Sequence, residues 1–114
     1  MSPVDVVKDA LRRIDAVDGE INAFCRVDED GALKAAKESE DRWMKGSPRG
    51  LADGVPLGVK DIIPVKGDVT WRGSKLTPES PPERFDAPAV ARMREHGAVI
   101  IGRTTTPEHG WKGL

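Results

Sequence analysis

The sequence predicts an α/β fold in which N-terminal helices lead into a strand–helix–strand unit. Apolar residues recur at helical spacing near the N-terminus. Two short apolar runs, residues 55–59 and 98–101, have the composition of buried strands. A helical segment lies between them, so the two strands are expected to be parallel and joined by a right-handed connection.

The composition limits the classes of protein to consider. The 114 residues suffice for one small domain, and 18 basic against 19 acidic side chains do not favour a nucleic-acid partner. No apolar run is long enough to cross a membrane, and the N-terminus lacks the pattern of a signal peptide. The single cysteine, Cys25, cannot form an internal disulfide, so a reducing compartment, the cytoplasm, is expected.

The first helix is predicted to begin after Ser2, which is a good N-cap. Pro3 follows at the first helical position, and Asp5 stands three residues after the cap. Gly19 is expected to end this helix. Its apolar face comprises Val7, Leu11, Ile14 and Val17.

A second helix is predicted after a short apolar connector or strand at residues 21–27. Negative charge at residues 28–30 precedes it, where the helix dipole favours acidic side chains, and Gly46 is expected to end it. Trp43, on the same face as Leu33 and Ala36, is expected in the core. Residues 1–46 are thus predicted to be a helical lead-in, and residues 51–114 the start of an α/β core.

The second part is organised around a strand that contains Lys60. Its apolar side chains are expected to be buried: Val55, Leu57, Val59, Ile62 and Ile63. Lys60 would then lie close to a core, and Asp61 would point to the opposite face of the strand. A lysine held there without a counter-ion can lose its proton and act as a base. The alternative is a buried stem with the ammonium group in solvent.

Residues 64–85 are expected to form a long loop, because their prolines, Pro78 among them, prevent regular ladders. Asp86 is predicted to cap a third helix with Pro88 in its first turn. Gly97 is predicted to end that helix in a left-handed conformation, and the second strand follows at once.

Two strands and three helices make a thin core. Strands that are apolar on both faces need more neighbours than this chain contains. We therefore expect an incomplete part of a larger α/β protein. We also expect a homo-oligomer that forms through exposed apolar surface, with an open strand edge beside Ile100.

Four segments of the second part carry a family resemblance. They are residues 54–61 (GVPLGVKD), residues 86–94 (DAPAVARMR), residues 97–104 (GAVIIGRT), and residues 106–113 with Thr106-Pro107-Glu108 and Trp111-Lys112-Gly113. Together with Ile21-Asn22-Ala23-Phe24, these segments make the chain resemble the N-terminal portion of the amidase signature family.

The resemblance implies an enzyme that hydrolyses a linear, small-molecule amide with a Ser–Ser–Lys triad on a mixed sheet surrounded by helices. In that family the lysine of the Gly-Val-Lys-Asp segment, here Lys60, accepts a proton through a bridging serine and so activates the nucleophilic serine. The resemblance implies no cofactor and no metal.

The chain departs from the family pattern in three respects. It contains no Ser-Ser pair, because the family's serines lie in a Gly-Gly-Ser-Ser-Gly-Gly stretch downstream of Trp-Lys-Gly, so the chain by itself is expected to be inactive. Trp71 and Arg72 replace small residues before Gly73 and Ser74, and Ser74 is expected in a surface turn. His109 stands where the family usually has an aromatic residue.

The remaining candidate residues are expected to be structural. His96 is expected to be a solvated cation at the end of the third helix, and Cys25 a small buried hydrophobe. Two isolated histidines and one cysteine do not make a metal site, and the glycines are spaced wrongly for a nucleotide-binding loop. Trp111 could line a cleft or contact a further part of the enzyme.

Three functions remain open on the sequence. The first is the N-terminal part of a stand-alone amidase, which Thr106-Pro107-Glu108-His109 favours. The second is the glutaminase-type A subunit of a tRNA-dependent amidotransferase, which belongs to the same family. The third is a non-catalytic module that self-associates. The sequence does not specify which amide is the substrate.

Overall fold

The computed structural model describes residues 1–77 and 79–112, so Pro78 and Gly113, which entered the predictions above, lie outside the described residues. Within the described part, the helices are α1 (Pro3–Ile21), α2 (Glu29–Met44) and α3 (Pro88–Glu95), and a 3-10 helix spans Glu108–Gly110. The strands are β1 (Phe24–Val27), β2 (Pro56–Lys60) and β3 (Val99–Thr104). The predicted α/β class is confirmed.

The three strands form a mixed sheet in the order β1-β3-β2. β2 and β3 are parallel, as predicted, with Lys60 opposite Thr104 and Val59 opposite Arg103. β1, in the segment predicted as a connector or strand, pairs with β3 in the antiparallel direction. β3 is therefore the central strand, and the predicted open edge beside Ile100 is wrong.

The chain itself covers both faces of β3. The expectation that this strand needs more neighbours than the chain contains is therefore wrong. On one face, Val99 and Ile101 pack with residues of α1 and α2 in one buried cluster. On the other face, Ile100 packs against a second cluster formed by Val59 of β2, Val65 of the following loop and Val90 of α3. The alternation of side chains along the strand separates the two cores.

Helix α1 begins as predicted and ends later than predicted. The Ser2 hydroxyl accepts a hydrogen bond from the Asp5 N–H, and the Asp5 carboxylate accepts one from the Ser2 N–H. The helix continues past Gly19 to Ile21, and Asn22 takes the left-handed cap conformation with φ of 51°. Asparagine tolerates this conformation better than most residues, so glycine is not required at this end.

Helix α3 shows the opposite pattern, because its predicted end is confirmed and its predicted cap is wrong. Gly97 has φ of 85°, as expected for a left-handed cap. The N-cap residue is Ala87, which makes no side-chain cap. The carboxylate of Asp86 instead accepts a hydrogen bond from the Lys66 N–H and pairs with Arg94 at 2.9 Å.

The passage from α2 into β2 is built on Asp53, whose side chain is fully buried. Arg42 donates two hydrogen bonds to its carboxylate, from Nε at 2.9 Å and from Nη2 at 2.6 Å. The Arg49 N–H donates a third at 2.7 Å. These contacts, first of all those with Arg42, hold the pKa of Asp53 well below its usual range. We call Arg42, Arg49, Asp53 and Gly97 the entry junction.

Gly97 belongs to the entry junction because its lack of a side chain allows the Asp53 carboxylate to approach the Gly97 backbone. A Cβ atom at Gly97 would lie 2.5 Å from Asp53 Oδ1. Trp43, predicted in the core, is half exposed, since its indole N–H reaches out from α2 to donate to the Asp53 carbonyl. Val55, predicted to be buried, is also half exposed.

The described part of the loop between β2 and α3 is folded against the sheet. The Gly67 N–H donates to Glu83 O, the Glu83 N–H to Asp68 O, and the Ala87 N–H to Pro64 O. Val65 is buried in the second core. Within residues 1–77 and 79–112, no helix is long and apolar enough to span a lipid bilayer.

Candidate active site

Lys60 is the last residue of β2, and the structure places it differently from the burial prediction. Lys60 is exposed, and so is Gly58 two residues earlier, whereas Val59 between them is buried. The alternation follows from the pleat of the strand, which directs Lys60 away from the core that contains Val59. The prediction that Lys60 is held in a buried environment is therefore wrong. The alternative, in which the charged end of the side chain lies in solvent, agrees with the structure.

The Lys60 side chain makes no ion pair and no hydrogen bond to any residue in the described parts of the chain. Asp61, its neighbour, is not its partner, as the alternation of the strand predicted. An unpaired amine at a strand end is free to contact a group that approaches from outside.

The backbone of Asp61 extends the ladder by one step beyond β2. Its N–H donates to Thr104 O at 3.0 Å, and its carbonyl accepts from the Arg72 N–H at 2.9 Å. Its buried carboxylate accepts from the Trp71 N–H at 3.3 Å. Asp61 therefore ties the end of β2 to β3 and to the following loop.

Two arginines surround this carboxylate from the other strands. Arg103 of β3 lies with Nη2 3.5 Å from Asp61 Oδ1, and Arg26 of β1 lies at the same distance from that oxygen. Both arginines also pair with Asp68, at 2.6 Å from Arg26 and 3.2 Å from Arg103. We call Arg26, Asp61, Asp68 and Arg103 the Arg103 network.

Trp71 covers the network on one side. The Arg26 guanidinium carbon lies 5.2 Å from the centroid of the Trp71 ring, within the range of a cation–π contact. Arg26 also donates to Val69 O at 2.6 Å. The Trp71 that departs from the family pattern thus has a defined contact in this chain.

An open cavity of about 320 Å³ adjoins the network. It lies beyond the carboxyl ends of β2 and β3, the usual position of ligands in open α/β sheets. A larger groove of about 680 Å³, beside α1, is far less relevant to Lys60 because α1 and α2 residues dominate its lining. The smaller cavity is lined by Cys25, Asp61, Trp71, Gly73, Ser74, Lys75, Thr105 and Thr106.

Ser74, predicted in a surface turn, is buried within that turn. Its N–H donates to Trp71 O, and its hydroxyl donates to Glu108 Oε1 at 2.9 Å. The His109 N–H donates to Arg72 O at 2.7 Å, with His109 at φ of 52°. These contacts anchor the 3-10 helix on the turn formed by residues 71–74. Ser74 is buried because it lies between these two segments.

Of the other candidates, His96 caps the C-terminal end of α3 and is exposed, as predicted. Cys25 is exposed, so the prediction of a buried thiol is wrong. It stands on β1 at a position that alternates with the half-buried Phe24 and Arg26, and its Sγ donates to Arg103 O at 3.4 Å. Trp111 is 89% exposed.

Sequence reasoning missed Arg26, Asp68 and Arg103. Arg103 offered a signal, because it is a charged residue within the strand that follows a fully apolar run. Arg26 and Asp68 offered none, since only the pairing of β1 with β3 and the fold of the loop bring them to Asp61.

No group of three or more His, Cys, Asp and Glu side chains is placed to hold a metal ion within residues 1–77 and 79–112. The arrangement contains the unpaired Lys60 amine, the turn that follows it, and a nearby cavity that is lined by Asp61 rather than by Lys60. Its chemical capacity is that of a base or a cationic group held at a fixed position.

Comparison with known proteins identifies the family. The family model described as Amidase matches residues 5–112. The A subunit of the glutamyl-tRNA(Gln) amidotransferase from Salinispora tropica is 41% identical over 107 residues, which cover 94% of this chain and 22% of the relative. The chain thus spans about a fifth of the length of the curated relatives that it matches.

Solved structures agree. One similar protein belongs to a vestigial complex that reveals the evolutionary origins of an s-triazine catabolic enzyme. It is 35% identical, with a TM-score of 0.90, over 95% of this chain and 24% of that one. The peptide amidase of Stenotrophomonas maltophilia is 31% identical, with a TM-score of 0.86, over 95% of this chain and 22% of that one. The chain belongs to the amidase signature family.

Proposed function

We propose that this chain contributes the N-terminal part of an amidase, with Lys60 as the base of a Ser–Ser–Lys triad. The observation that carries the proposal is the position of Lys60. Its unpaired amine stands at the carboxyl end of a parallel strand, on a turn that is fixed from both sides. The family resemblance of the segment around Lys60 assigns the role of base to this residue.

The reaction would be the hydrolysis of a small-molecule carboxylic amide. In the proposed mechanism, the deprotonated form of Lys60 accepts the proton of a serine hydroxyl through a bridging serine, and the serine oxygen attacks the amide carbonyl. The C–N bond then breaks, the amine leaves with a proton, and water releases the carboxylic acid from the acyl-enzyme. No cofactor takes part. The lone Cys25 is compatible with work in the reducing cytoplasm.

The two serines of this scheme are not among the five serines of the chain, none of which are adjacent to each other. Ser74, the serine nearest in sequence to Lys60 on its C-terminal side, is buried and donates to Glu108. The chain alone is therefore expected to release no ammonia from aliphatic or aromatic amides, because a base without a nucleophile does not form an acyl-enzyme. Turnover that Lys60→Ala abolishes would contradict this expectation.

Activity can be tested in a hybrid enzyme, in which residues 5–112 replace the matching segment of the Stenotrophomonas maltophilia peptide amidase. We expect the hybrid to hydrolyse a peptide amide, and Lys60→Ala to lower kcat by roughly 10³-fold or more, since a triad acts as a unit. Lys60→Arg should be equally inactive because a guanidinium does not give up its proton.

Two results would overturn the proposal. One is a folded hybrid without activity, which would mean that this chain does not carry a working base. The other is a Lys60→Arg hybrid that keeps more than about a tenth of kcat, which would exclude proton transfer through Lys60. Unfolding curves of the three proteins provide the control for folding.

A second candidate is the A subunit of a tRNA-dependent amidotransferase. The 41% identity to the Salinispora tropica protein favours it over the sequence-based preference for a stand-alone amidase. Exchange of the matching segment in that relative, with glutamine-dependent ammonia release as the assay, separates the candidates. The host enzyme in which the exchanged segment preserves more activity identifies the class.

A further inference from the structure

We infer that Arg103 is a positioning residue for Lys60: its guanidinium holds the turn that follows Lys60 and so fixes the backbone from which the amine extends. The inference rests on the proposed role of Lys60 as the base. It concerns a residue that does not itself touch the substrate or the amine.

The contacts of Arg103 converge on one turn. Its Nη2 donates to Ile63 O at 2.7 Å and to Lys60 O at 3.4 Å. Lys60 O also accepts from the Ile63 N–H at 2.9 Å. The carbonyl of Lys60 is therefore held from within the turn and from β3, and the two ends of the turn share one donor group.

The charge of Arg103 is balanced where it is buried. Arg103 is 2% exposed, and an unpaired charge at such a position would be strongly destabilising. Asp61 and Asp68 are the acidic partners, at 3.5 and 3.2 Å. Asp68 thus holds Nη1, and Asp61 lies beside Nη2, which is also the group that donates to the two carbonyls of the turn.

The register of the sheet explains why Arg103 acts through the backbone. Arg103 stands opposite Val59, one residue before Lys60, and both Arg103 and Val59 are buried. Side chains at paired positions of parallel strands leave the sheet on the same face, whereas Lys60 leaves it on the other. Arg103 therefore reaches under the strand end to the Lys60 carbonyl, and the Lys60 amine stays on the opposite face.

The donors of Arg103 and Arg26 are used unequally in the network. Within the described parts of the chain, the buried Nε atoms of both Arg103 and Arg26 lack a hydrogen-bond partner. The donors that do find partners on Arg103 are those directed at the turn and at the two carboxylates.

Loss of this brace should affect the rate more than binding. A lysine base must stand within hydrogen-bond reach of the group it deprotonates, and a displacement of about 1 Å can lower a rate by roughly 10²-fold. Arg103 is only 2% exposed and so offers little surface to a substrate, and KM should change little. Arg103→Lys keeps one charged donor but loses the planar fork, so it should restore the rate in part.

The test uses the hybrid enzyme with Arg103→Met, Arg103→Lys and the matched control Arg42→Met. Arg42→Met breaks the pair with the buried Asp53, which precedes β2 at the opposite end from Lys60. We expect Arg103→Met to lower kcat by about 10- to 100-fold with KM within about threefold, and Arg103→Lys to recover part of that loss. Arg42→Met should lower the melting temperature without lowering the kcat of the folded enzyme.

A second measurement needs no activity and uses the 114-residue chain itself. Arg103→Met should speed amide hydrogen exchange at Ile63, whose acceptor is Lys60 O, by about tenfold or more relative to Arg42→Met. If both variants change exchange at Ile63 equally, Arg103 is only a stabilising residue and the inference is wrong.

The results distinguish this inference from the proposed function. If Lys60→Ala leaves the hybrid active, the proposed function fails, whatever Arg103 does. If Lys60→Ala is inactive while Arg103→Met keeps full kcat, the role of Lys60 stands and the positioning role of Arg103 falls.

Discussion

A buried aspartate stands near each end of β2, and the two are held in similar ways with different consequences. At the entry junction, Asp53 accepts two hydrogen bonds from Arg42 and one from the Arg49 backbone. At the other end, Asp61 is shared by Arg26 and Arg103 and by the Trp71 backbone. Both aspartates are at most 5% exposed.

The difference lies in where the arginines come from. Arg42 is 11 residues before Asp53, so the entry junction ties α2 to the strand that follows it. Arg26 and Arg103 come from two other strands, and Arg103 continues to the carbonyl of Lys60. An arginine–aspartate pair can therefore close a local connection, as at Asp53, or hold the turn that follows the proposed base, as at Asp61. The further hydrogen bonds of the arginine distinguish the two cases.

The largest expected effect is a pH-dependent loss of stability when Asp53 of the entry junction is replaced. The depressed pKa of Asp53 means that the folded state binds fewer protons there than the unfolded state. Its stabilising contribution is complete above the unfolded pKa of about 4 and is lost as pH falls through the lower folded value. Asp53→Asn should thus cost about 3 kcal/mol at pH 7 and progressively less in acid.

Thermal and urea unfolding of both proteins between about pH 7 and pH 2.5 checks this prediction. A gap between wild type and Asp53→Asn that stays constant over this range would show that the Asp53 charge does not stabilise the junction.

A smaller loss of stability is expected when Gly97 of the entry junction is replaced by alanine. Gly97→Ala forces a left-handed φ of 85° on alanine and places Cβ against Asp53. Gly46 is a matched control, because it has φ of 69° and a Cβ atom there would meet no atom of the described chain within 4 Å. We expect Gly46→Ala to lower the free energy of unfolding by about 1 kcal/mol and Gly97→Ala to lower it by about 2 kcal/mol. Equal losses in urea unfolding would argue against tight packing at Asp53.

We propose that the chain forms homo-oligomers through apolar side chains near the entry junction. Substitutions there are expected to have the smallest effect, a weaker self-association. Met44 is 83% and Leu51 100% exposed, and Trp43 and Val55 are half exposed. Trp43, Met44 and Val55 line one open groove next to Asp53. Light scattering over a concentration series should show a dimer or larger species, weakened by the double substitution Met44→Lys and Leu51→Lys. The matched substitution Leu76→Lys, on the loop near Ser74, should not weaken it. A monomer at all concentrations would contradict the proposal.

Local patterns predicted most of the fold. The Ser2 cap, the left-handed Gly97 and the parallel pairing of β2 with β3 depend on neighbours in sequence or on the handedness of short connections. Predictions failed where two residue types can do the same task, as when Asn22 rather than Gly19 ended α1. They also failed at Asp86, where Lys66 and Arg94 compete with the helix end for the carboxylate.

The candidate site was predicted only in part. Lys60 followed from the segment around it, whereas its exposure depends on the pleat of β2 relative to a core that includes the distant Val90. The Arg103 network joins three strands and a loop, with partners up to 42 residues apart. No local pattern specifies such pairs, because they exist only once β1 has joined β3.

Our central claim is that the Asp61 end of β2 positions the proposed base, whereas the Asp53 end stabilises the fold. Measurement of kcat for the folded hybrid enzyme carrying Asp61→Asn or Asp53→Asn tests this claim most directly. We expect Asp61→Asn to lower kcat by about tenfold or more. The substitution removes the charge that pairs with Arg103 and so weakens the hold of Arg103 on the turn after Lys60. Asp53→Asn should leave kcat of the folded fraction within about twofold while it lowers the melting temperature. Equal loss of kcat in the two variants would contradict the assignment of chemistry to one end of β2 and of stability to the other.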